Sequence, residues 1–569
     1  MEIATYLQYG QFYGKRSTSK QMEIALRRFD RRALLHICGV INFALQFQSG
    51  KSSDRVHNAI VRRFFPADKA AQLISGNAKV FHRHQLLFLM QEIVKHCPEL
   101  DETTANSPAL EEVGDIFLMA SDHLYSPIPD SNAPHGAALK LILELLPSSE
   151  ANLFTNALLK MGRAHLVVSQ IAERRRGTNG FFDIPELFCT ATKIPFEVFE
   201  ALMVGVFTRL VNVDAALKDA TQFGMSSTFF SQTPVPQAQI DLFFSFISAT
   251  PNEYASELST RSPLPNDFRV IRDKPLARIG HHCFPLDAHA GIEKFDSAVY
   301  WSILNHLPEE QKNAFQSFWG QIFEDYVIWL LANSIDGRLN RLYPNPRYAD
   351  NPGQQVCDAI LICDRTAILI EIKGNIITSE GKYSGNIESL RTELERKYVG
   401  TQKNKKGVLQ LIAAIQATCS NEYLRHIEGV DLAHIVTVIP LLITRDDLGG
   451  YMGVNAYLNA RYKELLARPH YSKSVTSLLC LCADTIEKLS PYLSDTALSE
   501  FLSWRLRSDK QLRAPFFARN CPILEKRDLG NGNRQPTLLR DATFTVSGSA
   551  KRVLNLTQPA TPNSTVTES

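Results

Sequence analysis

The spacing of hydrophobic residues divides this chain into two unlike portions. From residue 18 to about 250, apolar residues recur at intervals of three and four, which is the period of amphipathic helices. Pro and Gly separate these stretches, as they do between helices. Residues 1–265 are therefore predicted to form an α-helical domain with a sensing, targeting or assembly role. The clearest predicted helices span residues 22–47, 80–96, 137–146 and 151–176.

The pattern changes near the middle of the chain. Residues 250–266 are rich in Ser, Thr, Pro and Asn, which predicts a boundary loop. Short strand-like runs follow, beginning with one at 268–272, and predict a connecting hairpin within 266–294. Residues 295–510 are predicted to form a mixed α/β domain. Asn, Gly, Thr, Ser and Pro then dominate, so residues 511–569 are predicted to be a largely disordered tail.

The α/β portion has a specific predicted order of elements. A helix comes first, then three strands, a helix and a further strand, an αβββαβ order. Pro440 falls in the last strand and predicts an edge position or a bulge there, because proline cannot donate to a strand ladder. The helices are expected at 313–332 and 407–418. The outer strands are expected at 338–343 and 435–444, and the middle two flank a turn at residues 364–366.

Three charged residues lie on the two middle strands, which are otherwise apolar. Glu371 and Lys373 are two apart, so they point to the same face of their strand. Asp358 on the neighbouring strand can reach the same place. Burying charges is costly unless they have a role. Two carboxylates beside a lysine suit the binding of a hard divalent cation and a water molecule next to a phosphate. The opposite face of the second strand carries Ile368, Ile370 and Ile372.

This Asp358…Glu371-Ile372-Lys373 pattern resembles the active-site signature of the PD-(D/E)XK nuclease superfamily, which includes restriction endonucleases, repair nucleases and bacterial defence nucleases. Asp358 matches the motif aspartate, Glu371 the acidic residue and Lys373 the lysine. Cys357 stands where the superfamily name has proline. The resemblance covers roughly 295–490 and implies a restriction-endonuclease-like core after the helical domain, in a multidomain protein.

The resemblance also implies roles for these residues. Asp358 and Glu371 would bind Mg²⁺, for which Mn²⁺ can substitute, and the Ile372 carbonyl would be a third ligand. A small ligand set suffices because Mg²⁺ takes only one or two carboxylates. Lys373 would orient the attacking water, help to deprotonate it, or neutralise charge on the phosphate.

Two further positions are candidates for this site. The helix at 313–332 resembles the one that brings an additional glutamate to such sites, and Glu324 is the fourth catalytic candidate, with Asp325 as a competing choice. Helical spacing places Glu324 on the face of Ile328 and Leu331, which points it inward. Gln410, on the helix at 407–418, is a candidate supporting residue.

Positive charge is in excess directly after the predicted catalytic strand. Such residues could contact phosphates and give salt-sensitive, sequence-independent binding. The alternative is a solvated helix and loop. The candidate contacts to nucleic acid are Lys382, Arg396, Lys397, Lys403, Lys405 and Lys406.

Composition limits the class of protein. The 569 residues have a formal net charge of only +2, so binding to nucleic acid must come from local patches. Ten scattered cysteines without a CxxC pair indicate neither a disulfide framework nor a zinc ribbon. No signal peptide and no apolar run of about 20 residues is found, so a cytoplasmic protein without membrane contact is expected.

The sequence thus favours a Mg²⁺-dependent nuclease, with DNA preferred to RNA on the superfamily resemblance alone and endonuclease preferred to exonuclease. A helical module joined to one nuclease domain resembles antiphage or restriction-type proteins. The helical domain would mediate homo-oligomerisation or bind an activating partner. One alternative is a catalytically silent nucleic-acid-binding or assembly protein with a nuclease-like core. Another is that Glu371 and Lys373 form only a surface ion pair, with Asp358 in a turn.

Overall fold

The structure, a computed structural model, describes residues 5–46, 51–76, 78–100, 110–124, 128, 135–152, 157–210, 223–261, 266–420, 424–446, 451, 453–466, 471–508, 521–523, 534 and 536–555. Helices and mixed sheets together make it a mixed α/β fold. Among the described residues, no helix is both long enough and apolar enough to cross a membrane. All ten cysteines are described and carry free thiols.

The N-terminal portion is helical over most of its described residues, as predicted, but the helix predicted at 22–47 is interrupted at residues 27–30. The helices are α1 (Tyr9–Tyr13), α2 (Ser19–Leu26), α3 (Arg31–Gln46), α4 (Lys51–Phe64), α5 (Ala67–Ser75), α6 (Arg83–His96), α7 (Leu110–His123), α8 (Gly136–Asn152), α9 (Ala157–Leu166), α10 (Ile184–Thr192), α11 (Phe196–Leu210), α12 (Gln237–Ile247) and α13 (Pro251–Thr260). A π-helical turn (Val167–Ile171) and a 3₁₀ turn (Glu173–Arg175) follow α9. Two-residue strands lie among them: β1 (Thr5–Tyr6), β2 (Ala78–Lys79), β3 (Met225–Ser226) and β4 (Ser248–Ala249).

The predicted boundary loop at 250–266 is wrong for its first half, which is helix α13. The Thr250 side chain accepts a hydrogen bond from the Glu253 backbone, and the Glu253 side chain accepts one from the Thr250 N–H. This capping box, with Pro251 in the first turn, starts a helix in a segment whose composition alone resembles a loop.

The connecting hairpin is confirmed only in its central part. It consists of β5 (Leu276–Ile279) and β6 (His282–Pro285), which pair in antiparallel fashion. The strand-like run before them is helix α14 (Arg269–Asp273). Its two apolar residues, Val270 and Ile271, are buried at one side of a short helix, so a run of five residues did not distinguish helix from strand.

The remaining elements follow in the predicted order, with short insertions. They are α15 (Ala288–His306), α16 (Glu309–Ser334), β7 (Arg341–Pro344), β8 (Arg347–Tyr348), β9 (Asn351–Gln355), β10 (Ala359–Cys363), β11 (Thr366–Lys373), α17 (Ser379–Tyr383), α18 (Ile387–Leu394), α19 (Gly407–Cys419), β12 (Thr437–Thr444), α20 (Val454–Leu465), β13 (Ser474–Val475), β14 (Leu479–Cys482), α21 (Ala483–Leu489) and α22 (Leu498–Leu506). Helix, three strands, helix and strand correspond to α16, β7, β10, β11, α19 and β12.

One sheet organises this portion of the chain. β7, β10 and β11 are antiparallel neighbours, and β11 is parallel to β12, which also pairs with β13 and β14. Ile368, Ile370 and Ile372 face one hydrophobic core together with residues of α16. Ala367 and Leu369 face a second core together with residues of α18, α19 and α20. The sheet therefore lies between two helical layers, and the period-two alternation on β11 is as predicted.

The edge position predicted from Pro440 is wrong, because β12 has strands on both sides. The Val438 carbonyl accepts a hydrogen bond from Thr476 on the side of β13 and β14. Pro440 is two residues further along, so its nitrogen faces the same side. The β12 residues paired on that side are 437–438 with β13 and 441–444 with β14. Pro440 thus lies at the break between two short neighbouring strands, where no donor is required.

The helical and α/β portions share their packing. The larger core extends from Met22 to Leu554 and includes one face of the sheet. On the other face, Leu139, Ile142 and Leu143 of α8 pack with residues of α18 and α20. The helical portion therefore contributes to both faces of the sheet.

The prediction of a disordered tail is wrong for helix α23 (Thr537–Val553). Leu539, Ala542, Val546 and Ala550 are buried on one side of this helix, against α9 and α11. The approach is close, since a β-carbon at Gly162 of α9 would lie 2.3 Å from the Leu539 carbonyl oxygen. The Ser, Thr and Gly content that predicted disorder lies between these apolar positions. Of the predicted tail, residues 511–520, 524–533, 535 and 556–569 lie outside the described part of the chain.

Candidate active site

Asp358 lies directly before β10, at the end of the sheet where β11 finishes. One carboxylate oxygen (Oδ2) accepts a hydrogen bond of 2.6 Å from the Ile372 backbone N–H. The other (Oδ1) accepts one of 3.3 Å from the Gln355 side chain. Asp358 is 7% exposed. Its backbone N–H donates to the Ile370 carbonyl, so the residue is fixed to β11 through both main chain and side chain.

Glu371 and Lys373 lie beside Asp358 on the same face of the sheet. The Lys373 ammonium donates a hydrogen bond of 2.6 Å to Glu371 and lies 3.6 Å from the Asp358 carboxylate. Glu371 is only 1% exposed and the Lys373 side chain 13%. The three residues lie together, as the sequence predicted. The alternative, a surface ion pair between Glu371 and Lys373, does not fit because both side chains are largely buried.

Glu324 reaches the site from α16, which crosses the end of β11. The crossing is close because two glycines meet there: a β-carbon at Gly374 would lie 3.0 Å from the Gly320 Cα. Glu324 is partly buried one turn further along α16. It is near enough to Asp358 and Lys373 for both to change its pKa. The helix therefore places a third carboxylate at the same end of the sheet.

Asp325, the alternative to Glu324, has an ion-pair partner from the helical portion. Arg175 donates hydrogen bonds of 2.5 and 2.9 Å to the two oxygens of Asp325. It also donates one of 3.0 Å to Gln321, one helical turn earlier. Asp325 is thus held in a bidentate ion pair, whereas the pKa of Glu324 is affected by Asp358 and Lys373.

The electrostatics of the site are those of crowded, poorly solvated carboxylates. Desolvation raises the pKa of Glu371 to about 8, and repulsion from Asp358 adds to the effect while Lys373 opposes it. Desolvation and repulsion from Asp358 likewise raise the pKa of Glu324 to about 7. Burial lowers the pKa of Lys373, but Glu371 and Asp358 outweigh it, so its pKa is raised. Lys373 is therefore a stable cation, which favours charge neutralisation over proton abstraction.

The residues present fit a hard divalent cation. Asp358 and Glu371 are two carboxylates that lie beside the same ammonium, and oxygen is the donor that Mg²⁺ prefers. The Ile372 N–H points toward Asp358, and a strand residue directs its carbonyl to the same side, so the Ile372 oxygen faces this end of the sheet. A cation here would offset the repulsion that raises the pKa of Glu371. Within the described ranges, no group of three or more His, Cys, Asp and Glu side chains is arranged as a ready-made metal site.

Gln410 lies near this end of the sheet on α19. A β-carbon at Gly407, the first residue of α19, would lie 3.0 Å from the Leu442 side chain. Leu442 pairs with Glu371 across β11 and β12, so the first turn of α19 covers the strand beside Glu371. The Gln410 side-chain oxygen is buried without a hydrogen-bond partner among the described residues. An unsatisfied buried acceptor in this place is consistent with the supporting role considered for Gln410.

Two of the six candidate phosphate contacts are not on the surface. Lys382 is buried and lies 3.2 Å from the Asp446 carboxylate. Lys397 is 11% exposed at its side chain, and it donates to Glu393 and to the Ile376 carbonyl. Both lysines fix the chain that follows Lys373. The alternative of a solvated helix and loop is wrong for these two lysines, because Lys382 pairs with Asp446 and Lys397 with Glu393.

The other four candidates have different surroundings. Arg396 is exposed and bound to Glu393 at 2.6 Å. Lys403 and Lys405 are exposed, Lys406 is half-buried, and none of the three has an ion-pair partner within the described part of the chain. They belong to a tight turn closed by backbone bonds between Thr401 and Asn404, directly before α19. These three lysines, at residues 403–406, are named the lysine loop.

Sequence reasoning missed two residues that support the site. Gln355 donates to Asp358 and, at 2.8 Å, to the Cys357 carbonyl, so it braces the aspartate from β9. Arg175, which fixes Asp325, comes from the helical portion. The only feature of the sequence that pointed to Arg175 was the run of three arginines at 174–176 before a Gly-Thr-Asn-Gly turn.

Taken as chemistry, the site combines three carboxylates and one ammonium at the end of a buried sheet. The carboxylates can bind a cation, and the ammonium can neutralise an anion beside it. Comparison of the chain with protein-family models, with curated proteins and with solved structures finds no match.

Proposed function

We propose that this protein is a Mg²⁺-dependent nuclease of the PD-(D/E)XK type, which hydrolyses phosphodiester bonds at Asp358, Glu371, Lys373 and Glu324. The observation that carries the proposal is the joint position of Asp358, Glu371 and Lys373, with Asp358 fixed on the Ile372 N–H and Lys373 within 3.6 Å of both carboxylates. The order of strands supports it, because β7, β10, β11 and β12 with α16 and α19 make the αβββαβ arrangement expected of a restriction-endonuclease-like core.

Each residue has a role in this proposal. Asp358, Glu371 and the Ile372 carbonyl would bind the cation. A divalent cation bound there supplies stabilisation of charge on the phosphate and makes water more acidic. Lys373, a charged ammonium, would donate hydrogen bonds to a non-bridging phosphate oxygen. Glu324, with a pKa of about 7, is suited to accept a proton from the attacking water at neutral pH.

The substrate assignment rests on the superfamily resemblance. DNA is proposed over RNA, and internal cleavage over attack at ends, on that basis. A role in antiphage defence is proposed from the combination of a helical portion with one nuclease core. The helical and α/β portions share their hydrophobic cores. This supports a helical portion that acts together with the nuclease core rather than as a separate domain.

The proposal is tested by incubating the purified protein with supercoiled plasmid, linear duplex DNA and RNA, each with Mg²⁺ or EDTA. Cutting of plasmid and linear DNA that requires Mg²⁺ and disappears in Lys373→Ala and Asp358→Ala is the expected result. Cutting of RNA alone would replace the DNA assignment. Binding of intact DNA without any cutting would instead support the catalytically silent protein.

A further inference from the structure

The helical portion contributes an exposed loop beside Glu324, at residues 173–180, here named the arginine loop. It follows the π-helical turn after α9 and carries the sequence Glu-Arg-Arg-Arg-Gly-Thr-Asn-Gly. Arg175 binds this loop to α16 through Gln321 and Asp325, the residues one turn before Glu324 and directly after it. The hydrogen bonds of Arg175 therefore hold the loop beside the site.

The rest of the arginine loop faces solvent. Arg174 is exposed and lies over the Trp329 ring of α16 at 5.9 Å. Arg176 is 57% exposed, pairs with Glu173 and Asp183, and lies 5.2 Å from the Phe181 ring. Four exposed small residues follow at 177–180. Two of them, Gly177 and Gly180, have φ of +84° and +80° with open space around the missing side chain, so a ligand can approach the backbone there.

If the proposed function is correct, the negative charge of the site indicates a role for the arginine loop in substrate binding. The site combines the three carboxylates of Glu324, Asp358 and Glu371 with the Lys373 ammonium, and the Asp325–Arg175 ion pair lies next to it. A polyanion approaching such a cluster is repelled unless cations flank it. The lysine loop supplies them next to α19. The arginine loop supplies them beside α16, in the other helical layer of the sheet.

We infer that the arginine loop contacts the phosphate backbone of the nucleic-acid substrate beside Glu324, through Arg174, Arg176 and the backbone of 177–180. This inference rests on the proposed function and assigns the helical portion a direct share of substrate binding. Together with the lysine loop, it makes a binding surface built from both portions of the chain. Such contacts are independent of base sequence and weaken with salt.

The test compares two double variants that each remove two arginine charges. Arg174→Gln with Arg176→Gln changes the arginine loop. Arg27→Gln with Arg28→Gln is the matched control, since those residues are 65% and 63% exposed, each pairs with a glutamate, and Arg28 also lies over a phenylalanine ring. Affinity for a fluorescent 20-base-pair duplex is measured in EDTA at several salt concentrations, and melting curves check the fold.

The arginine-loop variant is expected to bind roughly 10- to 100-fold more weakly at 0.1 M salt. Its plot of log affinity against log salt should be shallower by about two, one for each lost phosphate contact. The control variant should match wild type, and Arg174→Lys with Arg176→Lys should recover most of the affinity because charge is kept.

The failure of this inference is distinguishable from failure of the proposed function. If wild type binds and cuts DNA but the arginine-loop variant binds equally well, or no worse than the control, the inference is overturned and the nuclease proposal remains. If wild type binds duplex without cutting it in Mg²⁺, the nuclease proposal is overturned while the binding comparison still decides the loop. Absence of any binding by wild type overturns the inference.

Discussion

The Asp358 carboxylate accepts a hydrogen bond of 2.6 Å from the Ile372 N–H, across the open end of the β10–β11 hairpin. The Asp358 side chain accepts the hydrogen bond that a backbone carbonyl would accept if the ladder between the two strands continued. The bond fixes the position of the aspartate, and it leaves the carboxylate beside Glu371 and Lys373. Structure and proposed chemistry therefore depend on the same group.

The first prediction concerns this bond. Asp358→Ala removes the acceptor and leaves a buried N–H unsatisfied, whereas Asp358→Asn removes the charge but keeps an oxygen. Asp358→Ala is expected to have a free energy of unfolding about 1–3 kcal/mol lower than Asp358→Asn. Urea denaturation in EDTA measures the difference. Equal stability of the two variants would show that the bond contributes nothing to folding.

The second prediction separates a catalytic lysine from a structural one. Lys373 and Lys397 are both partly buried and both pair with a glutamate at 2.5–2.6 Å. Lys373→Met is expected to lower single-turnover cleavage by about 10²–10⁴-fold with duplex affinity nearly unchanged. Lys397→Met should reduce thermal stability and leave the rate of the folded protein within a few-fold of wild type. Equal losses of rate in the two variants would assign Lys373 a structural role only.

The third prediction concerns the adjacent acidic residues of α16. Glu324→Gln should slow cleavage by about 10²-fold or more, because it removes the proton acceptor facing Asp358. Asp325→Asn weakens the ion pair with Arg175 and should have a much smaller effect on rate. Cleavage rates of the two variants under single turnover make the comparison. A larger loss in Asp325→Asn would reverse the assignment.

The fourth prediction is a dependence of stability on pH and on Mg²⁺. Burial raises the pKa of Glu371 to about 8 from an ordinary carboxyl value of 4.5, so the folded protein binds this proton more tightly than the unfolded chain. The resulting stability is fully present below pH 4.5 and is lost as pH rises through 8. Mg²⁺ must displace the proton, so its apparent affinity should rise about tenfold per unit between pH 6 and 8.

Thermal melting with and without Mg²⁺ measures this linkage. The increase in melting temperature on adding Mg²⁺ should be larger at pH 8 than at pH 6. Glu371→Gln, which cannot ionise, should lose most of this increase. An increase of the same size at both pH values in wild type would contradict cation binding at Glu371.

The central strands and their three charges were predictable because alternation along a strand is a local property. Once β11 was recognised, Glu371 and Lys373 had to share a face, and the turn at 364–366 had to bring Asp358 back to them. The helix at 407–418 and the strand at 435–444 were likewise long and apolar enough to identify.

Other features depended on contacts between distant residues. The preference for Glu324 over Asp325 depends on Arg175, which is 150 positions from Asp325 in the sequence. The burial of Lys382 depends on Asp446, 64 positions away. Helix α23 is ordered because it packs against α9 and α11. The composition of the segment itself gives no information about that packing. In each case the deciding partner is identifiable only in the folded chain.

The most direct test of the central claim uses the two aspartates that flank β10. Asp358 precedes this strand at the site, and Asp364 follows it in an exposed turn with φ of +49°, which asparagine also tolerates. Plasmid cleavage in Mg²⁺ by Asp358→Asn and Asp364→Asn compares the same substitution at the two ends of one strand. Wild-type rates in Asp364→Asn and loss of cleavage in Asp358→Asn are predicted. Undiminished cleavage by Asp358→Asn would contradict the account.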